Sequence, residues 1–301
     1  MPYNRGDMNT TSTAAAAAAD DALPPVPAWL QNGFQMFVRG YLRRHFDAVA
    51  VCRENRLDAD ALADGPLLIY TNHPSWWDPI VAHFLNDQLL GNRQFRAPID
   101  ADALEQYGVF KKLGFFGVQS DTRHGATTFL RTASSVLNSP DDVLWITPEG
   151  RFADVRDSSA TLMPGMAHVA AKAAQNTKAA RNTRASRNAN TGRGHAVAMA
   201  LEYVFWNERL PMCLVRFSPP IGLQESVDKS ELLALMTDTL RQTQSALAEV
   251  AISRERTGLD DLLVGKSGGG WLYDSFRRVK AWCTGRTFSA RHESTAERVS
   301  P

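Results

Sequence analysis

The residues best suited to chemistry lie in the stretch LLIYTNHPSWWDPI, residues 67–80. An apolar run that predicts a buried strand ends there, His73 follows it, and the carboxylate of Asp78 comes five residues later. A carboxylate bound to one imidazole nitrogen fixes the tautomer of the ring and leaves the other nitrogen free to take a proton from a hydroxyl. His73 and Asp78 are therefore candidates for a general-base pair. The alternative is a histidine that caps a helix beside a solvated aspartate.

The spacing of the two residues needs a loop between them. In a continuous α-helix, residues five apart lie about 140° apart around the axis and share no face. Pro74 offers a solution, because proline favours the first helical turn and disfavours helix at the residue before it. We expect His73 in a loop and Asp78 about one turn into the following helix, with its carboxylate reaching back. Ligands of α/β sheets bind just beyond the carboxyl ends of strands.

The elements that position this pair alternate along the chain. From residue 65, short apolar runs typical of buried strands alternate with segments of helical spacing, and a long helical pattern follows at 228–252. Such alternation predicts an α/β fold with a mixed, largely parallel sheet flanked by helices. The predicted strands lie in PLLIYT, RAPI, FFGVQS, DVLWIT, HAVAMALEYVFW and LPMCLVRFSPPI.

The predicted domain spans residues 28–265 and is bounded by segments of different composition. Residues 1–27 contain an alanine run without the order of a signal peptide, and we predict a disordered leader. The helix that begins at 28 and the tail 266–301 both combine aromatic residues with arginines. Two such segments favour peripheral contact with a membrane surface, although a helix packed on the domain with a solvated basic face is the alternative for each.

A basic segment at about 172–195 interrupts the domain. It contains six lysines and arginines, no acidic residue and few large apolar side chains. Such a composition buries too little apolar surface to become ordered. We predict a mobile surface loop, either solvated without a partner or in contact with anionic lipid.

Charge and cysteine content exclude several classes of protein. The 301 residues carry a formal net charge of +1, and no nucleic-acid-binding module accompanies the basic segments. The three cysteines are far apart and form no metal-type pair. Their odd number favours a reducing, cytoplasmic setting over a disulfide framework. No apolar window reaches the length of a membrane-spanning helix, so we predict that the chain does not span a membrane.

Around the candidate pair the sequence resembles the lysophospholipid/glycerol-phosphate acyltransferase superfamily, typified by bacterial 1-acylglycerol-3-phosphate acyltransferases. The hallmark N-H-x-x-x-x-D of these enzymes is matched by Asn72, His73 and Asp78. The chain also contains LMPGMAHVA, which is similar to the Gly-containing helix start of the family. The resemblance covers residues 65–220 and implies the same α/β fold.

Two further blocks of the family are matched less fully. The family block E-G-T-R resembles PEGRF, where Glu149 and Gly150 match and Arg151 stands one place early. The block G-x-I-F-I-D-R is degraded to GVQSDTR, which keeps Gly117 and Arg123. The later block of the family, an apolar strand that contains prolines, corresponds to HAVAMALEYVFW, which contains none.

The resemblance implies acyl transfer from an acyl thioester, either acyl-CoA or acyl carrier protein, to a lipid hydroxyl. The acceptor would be a lysophospholipid, glycerol phosphate or a related lipid, in phospholipid biosynthesis at the cytoplasmic face of the membrane. His73 would act as the general base and Asp78 would orient it, as in a Ser–His–Asp triad whose nucleophile is the substrate. No metal and no other cofactor is expected.

By the same resemblance, the second and third blocks hold a phosphate of the acceptor. Arg123 and Arg151 are the candidates, since arginine suits bidentate phosphate contact, and Gly150 would let the backbone approach. Asn72 belongs to the same predicted substrate-binding set. Glu149 would repel a phosphate, so its expected task is to hold an arginine or backbone donors in place. Surface ion pairs are the alternative for both arginines, and an acceptor without phosphate stays open because the second block is degraded.

A hydrolase and a catalytically inactive lipid-binding protein are the alternatives to acyl transfer. A hydrolase would need a nucleophilic serine, and G-x-S-x-G is absent. A catalytically inactive lipid-binding protein of the same fold is the remaining alternative. Trp76 and Trp77 would line either an acyl-chain channel or, more commonly for such a pair, the core.

Overall fold

The computed structural model of the protein describes residues 23–63, 65–91, 93–119, 122–182, 194–223 and 228–265, with backbone alone for 178–182. Most of the predicted leader, residues 183–193 of the basic insertion and the tail 266–301 lie outside the described residues. The predictions made for those segments are therefore not addressed by the structure.

The described residues form a nine-stranded sheet in which five neighbouring strands are parallel. Its order is β4-β3-β5-β2-β6-β7-β1-β9, and β8 pairs with β6. The neighbours from β4 to β6 run parallel, as do β7 and β1, whereas β6–β7, β6–β8 and β1–β9 are antiparallel. The strands are β1 Ala48–Cys52, β2 Leu67–Thr71, β3 Gln94–Asp100, β4 Phe115–Val118, β5 Asp142–Ile146, β6 His195–Val204, β7 Met212–Phe217, β8 Ile221–Gly222 and β9 Leu259–Val264. The predicted mixed, largely parallel α/β sheet is confirmed.

Helices cover both faces of this sheet. Successive strand residues point to opposite faces: Leu67 and Ile69 of β2 enter the core that contains α1 and α2, whereas Leu68 and Tyr70 enter the core that contains α5, α6 and α7. Because both faces of β2 are buried, its sequence is continuously apolar. The helices are α1 Ala28–His45, α2 Asp78–Leu89, α3 Ala101–Gln106, α4 Val109–Lys112, α5 Arg123–Asn138, α6 Gly165–Asn182 and α7 Lys229–Ser253.

The structure differs from the sequence-based prediction at two strands and one helix. β1 and β9 were not predicted, and they extend the sheet beyond β7. The segment ALEQYGVFKKLG, whose spacing predicts one helix, instead forms the two short helices α3 and α4, which are separated at Tyr107 and Gly108. Glycine is a poor helix former, which explains the break.

Two predicted segment boundaries also move. Residues 23–27 of the predicted leader are ordered against the sheet, since Val26 donates its N–H to Gln94 Oε1 and Arg96 binds the carbonyl of Pro24. The basic insertion begins later than predicted, because residues 172–182 continue α6. The alanines of α6 pack into the core, so this part of the segment buries apolar surface after all.

A helix that crosses a bilayer must be long and predominantly apolar. Among the described residues, no helix combines the length and the apolar character that a membrane crossing requires.

Candidate active site

The loop between β2 and α2 carries the candidate base. Helix α2 begins at Asp78, so the predicted start at Pro74 is wrong, and it is Pro79 that occupies the first turn. Residues 72–77 form the loop, and the N–H of Ser75 donates to Asp78 Oδ2 at 3.1 Å. This turn, rather than a helical turn, brings the carboxylate back toward His73.

His73 and Asp78 are in direct contact. The distance from His73 Nδ1 to Asp78 Oδ2 is 2.7 Å, and the two side chains are 18% and 3% exposed. In the described part of the chain, no hydrogen bond engages the other ring nitrogen, Nε2. A base held on one side by a buried carboxylate, with its second nitrogen available, is the arrangement that general-base catalysis on a hydroxyl requires.

A tyrosine that the sequence analysis did not identify supports the carboxylate from the opposite side. Tyr203, near the end of β6, donates its hydroxyl to Asp78 Oδ1 at 2.6 Å. Burial, together with the nearby Cys213 and Asp78, holds the pKa of the Tyr203 phenol well above its usual value. The phenol therefore stays protonated and donates a hydrogen bond to the carboxylate.

Asn72 binds the sheet rather than facing the solvent. It is buried, its side-chain amide donates to the carbonyl of Leu201 at 2.9 Å, and its Oδ1 accepts the N–H of Leu201 at 2.8 Å. The side chain thus continues the pairing of β2 with β6 by one position beyond the strand end. This contact favours a positioning role for Asn72, which fixes the backbone just before His73.

Glu149 holds the catalytic loop from the neighbouring strand connection. Its carboxylate is buried, and Oε2 accepts the backbone N–H of His73 at 3.1 Å. Oε1 accepts from Arg241 of α7 at 3.2 Å, and Arg241 also binds Gln244 and the carbonyl of Ala160. The expectation that Glu149 holds an arginine and a backbone donor agrees with these contacts. Arg241 was not predicted, because α7 lies outside the motifs.

The loop after Glu149 carries the remaining predicted residues of the third block. Gly150 has a φ of +64°, a left-handed conformation that glycine adopts without strain. Arg151 is exposed, and its guanidinium binds Asp157 at 3.2 Å. Phe152 places its ring 4.4 Å from the imidazole of His73, measured between ring centroids. This block thus adjoins His73 through the carboxylate of Glu149 and the ring of Phe152.

Among the contacts of the described residues, none joins Arg123 to the residues around His73. It is exposed at the first position of α5, behind the N-cap Thr122. Within the described ranges, its guanidinium has no ion-pair or hydrogen-bond partner. The phosphate-binding role of Arg123 and Arg151 stays a prediction.

The two tryptophans of the motif have different environments. Trp77 packs against the apolar core and contacts Tyr41 and Phe46, in agreement with the core-packing alternative. Trp76 stacks on Trp77 at 4.4 Å but is mostly exposed. Through Tyr41 and Phe37, these stacked rings connect the catalytic loop with α1.

A histidine–aspartate pair at the carboxyl end of a parallel strand, inside an α/β sheet, is an arrangement compatible with general-base chemistry on a hydroxyl. Residues 58–182 of the chain match the family model described as Acyltransferase, a match that covers less than half of the chain but includes the site residues from Asn72 to Phe152. This match supports the acyltransferase superfamily that the motifs predicted, and the protein is an acyltransferase.

Among solved structures, the chain is similar to the crystal structure of the 1-acyl-sn-glycerophosphate (LPA) acyltransferase PlsC from Thermotoga maritima. The sequence identity is 13%, the TM-score is 0.46, and the similarity covers 73% of this chain and 79% of that chain. No curated protein matches the chain. The family assignment therefore rests on the match of residues 58–182.

Proposed function

We propose that this protein transfers a fatty acyl group from acyl-CoA or acyl carrier protein to a hydroxyl of a lysophospholipid, glycerol phosphate or a related lipid. The observation that carries the proposal is the 2.7 Å contact between His73 Nδ1 and the buried carboxylate of Asp78, within the acyltransferase-family segment. The proposed reaction draws on no metal and no other cofactor, because a thioester is already activated for acyl transfer.

In the proposed reaction, His73 Nε2 takes the proton of the acceptor hydroxyl as its oxygen attacks the thioester carbonyl. The imidazolium that forms is stabilised by the carboxylate of Asp78. As the tetrahedral intermediate collapses, the new C–O bond remains, the C–S bond breaks, and the leaving thiolate takes the proton back from Nε2. Neither an acyl-enzyme nor an enzymic nucleophile is needed, because the acceptor supplies the attacking oxygen.

The surrounding residues position this base. Tyr203 and the N–H of Ser75 fix the carboxylate of Asp78. Asn72 anchors the residue before His73 to the sheet, and Glu149 binds the backbone N–H of His73 itself. Near-attack geometry depends on such restraint, and misplacement by about 1 Å can cost on the order of 100-fold in rate. We propose positioning roles for these four residues.

Acyl transfer itself is tested with the full-length protein and labelled acyl-CoA or acyl carrier protein. The acceptor panel contains lysophospholipids, glycerol 3-phosphate and neutral lipid alcohols, and the measurement is the labelled lipid product. We expect product with at least one lipid hydroxyl and none without protein. Binding of lipids without any product would instead support an inactive lipid-binding protein.

We further propose that α1 docks the protein on the cytoplasmic surface of a membrane. Trp29 and Met36 lie seven residues apart on one face of α1 and are 76% and 74% exposed, and Phe37 beside them is also exposed. Arg43 and Arg44 occupy the last turn of the same helix. Exposed aromatic and apolar side chains next to arginines suit the interface of an anionic bilayer. The tail 266–301 stays a second predicted contact.

Replacing the exposed face of α1 is expected to weaken membrane binding. In the full-length chain, Trp29→Glu combined with Met36→Glu removes two apolar contacts and adds two negative charges. We expect the fraction that floats with anionic liposomes to fall at least tenfold, since burial of each large side chain contributes about 1.5–3 kcal/mol.

Ile252→Glu is the matched control, because Ile252 is an equally exposed apolar residue on α7, at 81%. This variant should float like the unchanged protein. Equal flotation of all three proteins would show that α1 is not the docking face and would leave the tail as the candidate, which deletion of 266–301 then tests.

A further inference from the structure

Phe152 stands where the related family motif has its arginine. Aligned without a gap, the block E-G-T-R places its arginine at the fourth position, which Phe152 occupies in E-G-R-F. The Phe152 ring lies 4.4 Å from the imidazole of His73, with an angle of 35° between the rings, and its side chain is 58% exposed. An aromatic ring, rather than a guanidinium, thus borders the solvent side of the candidate base.

The backbone fixes Phe152 in this place. The next residue, Ala153, donates its N–H to the carbonyl of His73 at 3.0 Å. On the other side of Phe152, the chain turns at Gly150, whose N–H binds the carbonyl of Thr147 at 3.1 Å. Because backbone hydrogen bonds fix the segment on both sides of Phe152, the segment holds the Phe152 ring beside His73.

The cations of the same loop are already engaged by carboxylates. Arg151 pairs with Asp157 at 3.2 Å and also binds the carbonyl of Phe152. Arg156 pairs with Asp154 at 2.7 Å through two hydrogen bonds. The four charges cancel, so this loop offers a phosphate no net positive charge.

In the described part of the chain, the ionisable side chains that bond to His73 are carboxylates. The carboxylates of Asp78 and Glu149 both touch His73, and Arg241 is held by Glu149, Gln244 and the carbonyl of Ala160. The face of a phenyl ring is the negative side of its quadrupole and disfavours anions. A phosphate beside the reacting hydroxyl would therefore meet the aromatic ring of Phe152, with the buried carboxylate of Asp78 on the other side of the imidazole.

We infer that the acceptor is a neutral lipid alcohol with no phosphate on the carbon next to the reacting hydroxyl, and that Phe152 sets this specificity. The inference rests on the proposed acyl transfer and narrows its acceptor. Under it, Phe152 packs against the hydrocarbon part of the acceptor while His73 Nε2 receives the hydroxyl proton. Arg151 then contributes an ion pair with Asp157 that shapes the loop, in place of the phosphate contact predicted for it.

The test compares two acceptors that differ only in the phosphate: a monoacylglycerol and the same lipid phosphorylated on its free primary hydroxyl. The ratio of their kcat/KM values is measured for the unchanged protein, Phe152→Arg and Phe152→Leu. We expect the unchanged protein to favour the neutral acceptor. Phe152→Arg should lower that preference about 10- to 100-fold, the range for one hydrogen bond between charged groups.

Phe152→Leu is the matched control, because it keeps an apolar side chain at the same exposed position and should keep the preference for the neutral acceptor. A preference of the unchanged protein for the phosphorylated acceptor, or an unchanged ratio in a folded Phe152→Arg, overturns the inference while the proposed acyl transfer stands. Absence of transfer to every acceptor, with acyl-CoA and with acyl carrier protein, overturns the proposed function and the inference together.

Discussion

His73→Ala should lower kcat/KM for acyl transfer by about 10²–10⁴, the usual contribution of a general base. The imidazole has one nitrogen on Asp78 and, among the described residues, no group bonded to the other, so its removal leaves the acceptor hydroxyl without a base. His73→Gln should lose as much activity, because an amide can still donate to Asp78 but cannot take up a proton at neutral pH. The measurement is labelled product formed at subsaturating acceptor.

The fold of these variants is expected to persist, since the side chain of His73 lies at the edge of the site and its backbone N–H remains bound to Glu149. Denaturant unfolding of each variant checks this point. His168→Ala is the matched control, because His168 is an exposed histidine of α6 outside the N-H-x-x-x-x-D block, and it should leave kcat/KM unchanged. Full activity of a well-folded His73→Ala would remove His73 from the chemistry and end the proposed mechanism.

Local sequence patterns predicted those site residues that lie close together in the sequence. His73, Asp78 and the strand before them lie within one short stretch, and PEGRF follows a recognisable buried strand. Even there the turn was assigned to the wrong proline, because both Pro74 and Pro79 are compatible with a helix start. In the structure the helix begins at Asp78, with Pro79 in its first turn.

The groups that sequence reasoning missed are those whose partners lie far along the chain. Tyr203 and Asp78 are 125 residues apart, and Arg241 and Glu149 are 92 apart. A tyrosine near the end of a strand or an arginine within a long helix carries no local signal of such a partner. Strand β9 contains two aspartates and so lacks the continuous apolar run of the predicted strands, whereas β1 is a five-residue apolar run that was not predicted.

Asp78→Asn should lower kcat/KM by about 10² while leaving the free energy of unfolding nearly unchanged, and the geometry of its donors explains both results. The backbone N–H of Ser75 can only donate, so the amide oxygen of Asn must remain on the side of Ser75 and His73. Its NH₂ group then faces Tyr203, whose hydroxyl can turn from donor to acceptor. Every hydrogen bond is kept and His73 keeps its tautomer, but the negative charge that stabilises the imidazolium is lost. The equivalent change in a Ser–His–Asp triad costs about 10⁴ because the tautomer is wrong, and we expect a smaller loss here.

Tyr203→Phe should show the opposite result and is the matched comparison for Asp78→Asn. It deprives a buried carboxylate oxygen of its 2.6 Å donor, which we expect to lower the free energy of unfolding by about 1–3 kcal/mol. The charge of Asp78 and its contacts with Ser75 and His73 persist, so kcat/KM should fall less than about tenfold, below the contribution of a general base. Denaturant unfolding and kcat/KM measured on both variants separate the two roles. If Asp78→Asn keeps full activity, the carboxylate charge has no part in catalysis; if Tyr203→Phe loses as much activity as Asp78→Asn, the phenol contributes to the reaction as strongly as that charge does.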